Sequence, residues 1–164
     1  MSTGGAVKIN AVNNNVYNSA NVRAAITQLA LQTRTHVLEN EYNLVTARAV
    51  GAESAITAAL TTWPANHAAF SSFPTGNNLA DQLKMVARLI AARDDLGNRR
   101  QVFFVSMGGF DLHDNLINGQ NTLMGRLSAA MTAFHEATVS LGVANQVAAF
   151  TASDFGRTLV SNGD

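Results

Sequence analysis

Two short apolar runs constrain this chain more than anything else in it. Gln101-Val102-Phe103-Phe104-Val105-Ser106-Met107 is nearly continuous in apolar side chains and stops at Gly108-Gly109. Gln146-Val147-Ala148-Ala149-Phe150-Thr151-Ala152 follows the same pattern and stops at Ser153-Asp154-Phe155-Gly156. A run this short, bounded by turn residues, reads as a strand buried on both faces. Between the runs, Leu123, Leu127, Met131, Phe134, Thr138 and Leu141 recur at helical spacing, and Gly142 is placed to cap the helix end. Strand, long helix, strand predicts a right-handed crossover between parallel strands. Segments 102–113 and 147–158 then form a β-α-β unit, with Asp111, His113 and Asp154 at one edge of the sheet. Ligands of such sheets sit beyond the carboxyl ends of the strands.

The remaining sequence reads as helix and loop. Val22, Ile26, Leu29 and Ala30 mark a first one-sided helix. An alanine-rich stretch over 39–60 predicts a second, with Gly51 placed to bend it. Trp63-Pro64 and Phe73-Pro74-Thr75-Gly76 punctuate a loop. Asn78 is placed to cap the next helix and Asp81 complements its first turn. Leu79, Leu83, Val86, Leu89 and Ile90 form its apolar stripe, which ends before Gly97. Residues 1–20 are asparagine-rich and read as loop or a docked arm. The expected organisation is one α/β domain over 1–164, mostly helical to residue 77, with a helix-strand-helix-strand core from 78 on.

Composition excludes several function classes. Lys plus Arg and Asp plus Glu both number 11, so no global field draws nucleic acid or an anionic membrane. No basic patch interleaved with aromatics is present, which argues against a nucleic-acid partner. No apolar stretch approaches the ~20 residues that span a bilayer. The absence of cysteine removes disulfides, thiolate metal sites and a cysteine nucleophile. No Gly-x-Gly-x-x-Gly or P-loop supports nucleotide binding. The first residues, Met1-Ser2-Thr3-Gly4-Gly5, do not read as a signal peptide. The last residues, Ser161-Asn162-Gly163-Asp164, are turn chemistry, so the chain reads as a fragment of something longer. Missing strands would leave open sheet edges, from which self-association is expected.

The polar residues after the two runs admit paired readings. Asp111 and His113, two apart, project to one side of an extended backbone. Carboxylate plus imidazole is a partial ligand set for zinc, manganese or iron; alternatively Asp111 caps a turn and His113 bonds within the loop. Asp154 is a third ligand or the cap of the next turn. Arg157 is a bidentate clamp for phosphate, sulfate or carboxylate, or the salt-bridge partner of Asp154 or Asp111. Ser153 and Thr158 are hydroxyls without an assignable base. His36 and His67 stand alone, and His135 reads as a surface residue of its helix.

These blocks resemble a known family. Leu83-Lys84-Met85-Val86-Ala87-Arg88-Leu89-Ile90, Gly108-Gly109-Phe110-Asp111-Leu112-His113, Ala133-Phe134 and Thr151-Ala152-Ser153-Asp154-Phe155-Gly156-Arg157-Thr158, with Ser161-Asn162-Gly163, look like the bacterial domain-of-unknown-function family 1501 over about residues 78–164. The resemblance implies exported proteins, periplasmic or secreted, usually carrying a twin-arginine signal that is missing here. It also implies similarity to the alkaline phosphatase and sulfatase superfamily, a three-layer α/β/α sandwich with metal ligands at strand ends. By that analogy Asp111, His113 and Asp154 are ligands of a divalent metal (zinc, manganese or calcium), and Arg157 holds the anion. A small-molecule or polymer phosphate or sulfate ester would be the substrate. Family members resemble one another in a further Asp-His-Gly block, which would fall just past Asp164. The alternative is a secreted binding or scaffold protein that keeps the fold without catalysis. A third reading, a calcineurin-like phosphatase, lacks its Gly-Asn-His-Glu block.

Overall fold

A computed structural model describes residues 20–156 and 159–160. They divide into two compact units at Thr62 and Trp63. The first holds α1 (Ala20–Ala30) and α2 (Val37–Thr62). The loop joining them is fastened by its own polar side chains. Asn43 donates through its amide to the Gln32 carbonyl, and Asn40 accepts from the Arg34 N–H at 3.4 Å. Gly51 does not break α2, whose neighbouring alanines carry the helix through it. Only Ala59 of α2 is buried, whereas Val37, Leu38, Tyr42, Leu44 and Val45 are exposed.

The second unit contains the core. Its frame is α3 (Asn78–Ala91) packed on α4 (Leu116–Ser140), with short 3-10 turns at Ala68–Phe70 and Ala144–Gln146. The cap of α3 lies one residue earlier than expected. The Asn77 carboxamide accepts from the Ala80 N–H at 3.4 Å and donates to the Arg126 carbonyl at 2.8 Å, so one side chain starts α3 and ties it to α4. The expected stripe of Leu79, Leu83, Val86, Leu89 and Ile90 is buried. Ala80, Ala87, Ala130 and Ala137 are fully buried, and their small side chains let the two helices approach closely. Phe70, Phe73 and Phe134 fill the remaining space. Gly142, at φ +69°, ends α4 as expected. Its N–H donates to the Val139 carbonyl and the Val143 N–H to the Thr138 carbonyl, both at 2.9 Å, which is a Schellman motif.

The expected partial three-layer α/β/α sandwich with a parallel sheet does not form. The described residues are helical and contain no strand. The reason lies in the two apolar runs. Segment 101–107 keeps the two-residue rhythm of a strand: Val105 and Met107 pack on the helical core, while Val102, Phe104 and Ser106 face outward. Yet no backbone–backbone hydrogen bond involves residues 101–107 or 147–152 among the described residues. Of the second run, only Val147 packs on the core. A helix closes its hydrogen bonds within itself, but a strand requires a neighbour. Without a ladder these segments remain irregular: the first is covered along one face, and the second packs on the core at Val147 alone.

Candidate functional site

The loop between segment 101–107 and α4 carries the Gly-Gly-Phe-Asp-Leu-His sequence. Gly109 adopts φ +96°, a conformation that turns the chain back toward α4, where Leu123 lies 3.4 Å from the position a Cβ would take. Leu112 then points inward and rests on the helix. A Cβ on Gly119 would sit 2.8 Å from Leu112 Cδ1, so glycine at this place in α4 is what admits the leucine. With Leu112 anchored, its neighbours Asp111 and His113 both turn out to solvent. Their side chains meet there, Asp111 Oδ1 lying 3.3 Å from His113 Nε2. Both are about three-quarters exposed (75% and 79%).

That distance bears on metal binding. Two ligand atoms each about 2.0–2.1 Å from a tetrahedral zinc ion lie about 3.3 Å apart. Asp111 and His113 thus fit two positions of one coordination sphere, and equally make a direct carboxylate–imidazole contact on the loop surface. No cluster of three His, Cys, Asp or Glu side chains suited to a metal exists among the described residues. Asp154 is therefore not brought to the pair in such a set. Its turn is closed instead by Ser153, whose hydroxyl donates to the Phe155 carbonyl at 2.6 Å. Arg157 and Thr158 lie outside the described residues. His36 and His135 are exposed. His67 is structural: its Nδ1 accepts from the Ala69 N–H at 3.2 Å, and its ring packs against Trp63 and Phe70.

An open depression of about 330 Å³ is lined among others by Gly109, Leu112, Asn115, Asn118 and Arg126, and not by Asp111 or His113. Leu112 links it to Asp111 and His113 on either side. Asn115, in the left-handed region at φ +51°, precedes α4 and accepts from the Asn118 amide at 2.8 Å. No sequence motif marks Asn118, Thr122 or Arg126, although their spacing of four (118, 122, 126) runs along one helix face leading away from the loop.

The family profile described as "Protein of unknown function (DUF1501)" matches residues 9–164. The chain belongs to that family. The match extends the resemblance seen in the motif blocks through most of the first 77 residues. No curated protein and no solved structure matches the chain at a significant level. No described helix is long and apolar enough to cross a membrane.

Proposed function

We propose that this DUF1501 chain supplies two ligands, Asp111 and His113, to a divalent-metal site of a hydrolase-like protein acting on phosphate or sulfate esters. The observation that carries the reading is the 3.3 Å separation of Asp111 Oδ1 and His113 Nε2 on a loop that Leu112 anchors to α4. The ester class rests on the family resemblance, and export to the periplasm or beyond goes with it. A bound zinc, manganese or calcium ion would act as a Lewis acid toward the ester oxygen. The chain's own residues have separate tasks. Asp111 and His113 would hold the ion, Leu112 and Gly119 fix the loop, and Arg126 would offer a guanidinium to the anion from the depression that Leu112 lines. Arg157 is a second clamp for the same anion.

Calorimetric titration with zinc and manganese tests the ligand pair. The chain should bind one ion, and an Asp111→Ala/His113→Ala double variant should lose that binding. Asp154→Ala should leave the affinity within about two-fold, because Asp154 does not join a three-ligand set with the pair. Equal binding by the chain and the double variant, or none by either, removes the reading. The shortage of a third ligand among the described residues favours the second reading, a secreted non-catalytic binding or scaffold protein. It is chosen if the ion binds but no phosphate or sulfate ester is turned over.

A further inference from the structure

Segment 101–107 has two edges, and they differ. In extended backbone the N–H and C=O of one residue point to one edge, and those of its neighbours to the other. Ser106 shares an edge with Val102 and Phe104. Both of its backbone groups are held by one side chain on α3. The Gln82 carboxamide donates to the Ser106 carbonyl at 2.8 Å and accepts from the Ser106 N–H at 3.1 Å, copying a ladder pair. The opposite edge carries the backbone groups of Phe103, Val105 and Met107, which take no hydrogen bond among the described residues. The outward face is apolar and bare, with Val102 at 99% and Phe104 at 92% exposure. Charge is sorted along the segment. Arg99 and Arg100 are exposed at its start, Asp111 and Asp114 are exposed beyond its end, and residues 101–110 carry none.

That sorting selects an occupant. Two copies laid antiparallel bring the basic start of each onto the acidic end of the other. A parallel pair would set like on like. We propose that segment 101–107 is a self-pairing edge, through which two copies of this chain join as an antiparallel ribbon about a two-fold axis at Val105. In this register Val105 faces Val105 of the second copy and Phe103 faces Met107. These pairs exchange ladder hydrogen bonds across the edge that Gln82 does not hold. Phe104 lies opposite Ser106, with the two Phe104 rings as diagonal neighbours on the outward face. Gln82 occupies the far edge at Ser106 and opposes addition of a third chain there, so the assembly closes at two.

The chain has no cysteine, so single-cysteine variants report the axis cleanly. The purified chain should sediment as a dimer. Under mild oxidation Val105→Cys should form a disulfide-linked dimer at least about ten-fold faster than Val102→Cys, whose register partner is Gly108. The exposed double substitution Arg99→Glu/Arg100→Glu leaves the core untouched and should weaken dimerisation about ten-fold at low salt. A monomer at every concentration overturns the proposal. So does crosslinking no faster from Val105→Cys than from Val102→Cys. A dimer indifferent to the arginine substitutions is paired through another surface and overturns it too.

Discussion

Helix α3 and segment 101–107 are close in the chain, joined through Gln82 and Ser106, and similarly apolar, yet they reach opposite states. Eight residues of α3 are buried, and its backbone is satisfied from within by i→i−4 bonds and at its start by Asn77. Segment 101–107 presents Val102 and Phe104 almost wholly to solvent, and among the described residues only Ser106 of its backbone is held. The difference is one of self-sufficiency rather than of hydrophobicity. A helix needs only a surface to cover its stripe, and α4 provides it. A strand needs a surface and a neighbouring backbone, and in this chain the helical layer supplies only the first.

Phe70 is the position where substitution costs the helical layer most. Its side chain is 1% exposed at the centre of the cluster that both α3 and the inward residues Val105 and Met107 lean on. Phe70→Ala should cost about 3–5 kcal/mol in chemical denaturation, through lost burial and the cavity left behind. A cost below about 1 kcal/mol would mean that the helical layer does not depend on this centre. The next effect is at Asn77, buried at the start of α3. Asn77→Ala removes the cap to Ala80 and the bond to the Arg126 carbonyl and should cost about 1–2 kcal/mol. Asn77→Asp separates the two roles. It keeps the acceptor for the Ala80 N–H but turns a carboxylate oxygen toward the Arg126 carbonyl. It should therefore recover only part of the loss. Full recovery would show that the tie to α4 contributes nothing.

The same contrast explains what the sequence disclosed. The stripe of α3, Phe134 and Thr138 of α4 and the Gly142 cap were legible because helical spacing and terminal residues act locally; the buried alanines of α4, Ala130, Ala133 and Ala137, carry no such signal in an alanine-rich chain. The shift from Asn78 to Asn77 as cap is a one-residue matter decided by the bond to Arg126, which no local pattern contains. The two apolar runs read as buried strands of a parallel sheet but form none, since strand pairing depends on residues far along the chain. Asp111 and His113 met because their two-residue spacing needs only an anchored loop. Gathering Asp154 with them depended on a ladder between segments 101–107 and 147–152, and no such ladder forms. Arg126 was missed because a lone arginine on a polar helix face carries no signal until the neighbouring depression is seen.

The smallest effect on stability, and the sharpest test of the contrast, is at Gln82. Gln82→Ala removes both hydrogen bonds that hold Ser106 to α3. Each contributes about 0.5–1.5 kcal/mol when buried, and less here because the contact is open to solvent. Alanine is also the better helix former, by a few tenths of a kcal/mol, which offsets part of the loss. The net change in global unfolding should stay under about 1 kcal/mol. The local change should be large. Amide exchange at Ser106 should accelerate about ten-fold or more, while amides in the middle of α3, such as Val86 and Ala87, keep their protection. Acceleration at both places would mean that α3 and the extended segment open as one unit, and the contrast between self-sufficient helix and dependent strand would fail. Acceleration at neither would mean that the Ser106 N–H is protected by something other than Gln82. Gln82→Glu refines the result. A carboxylate still accepts from the Ser106 N–H but repels the Ser106 carbonyl, so exchange should fall between that of the wild-type chain and that of the alanine variant.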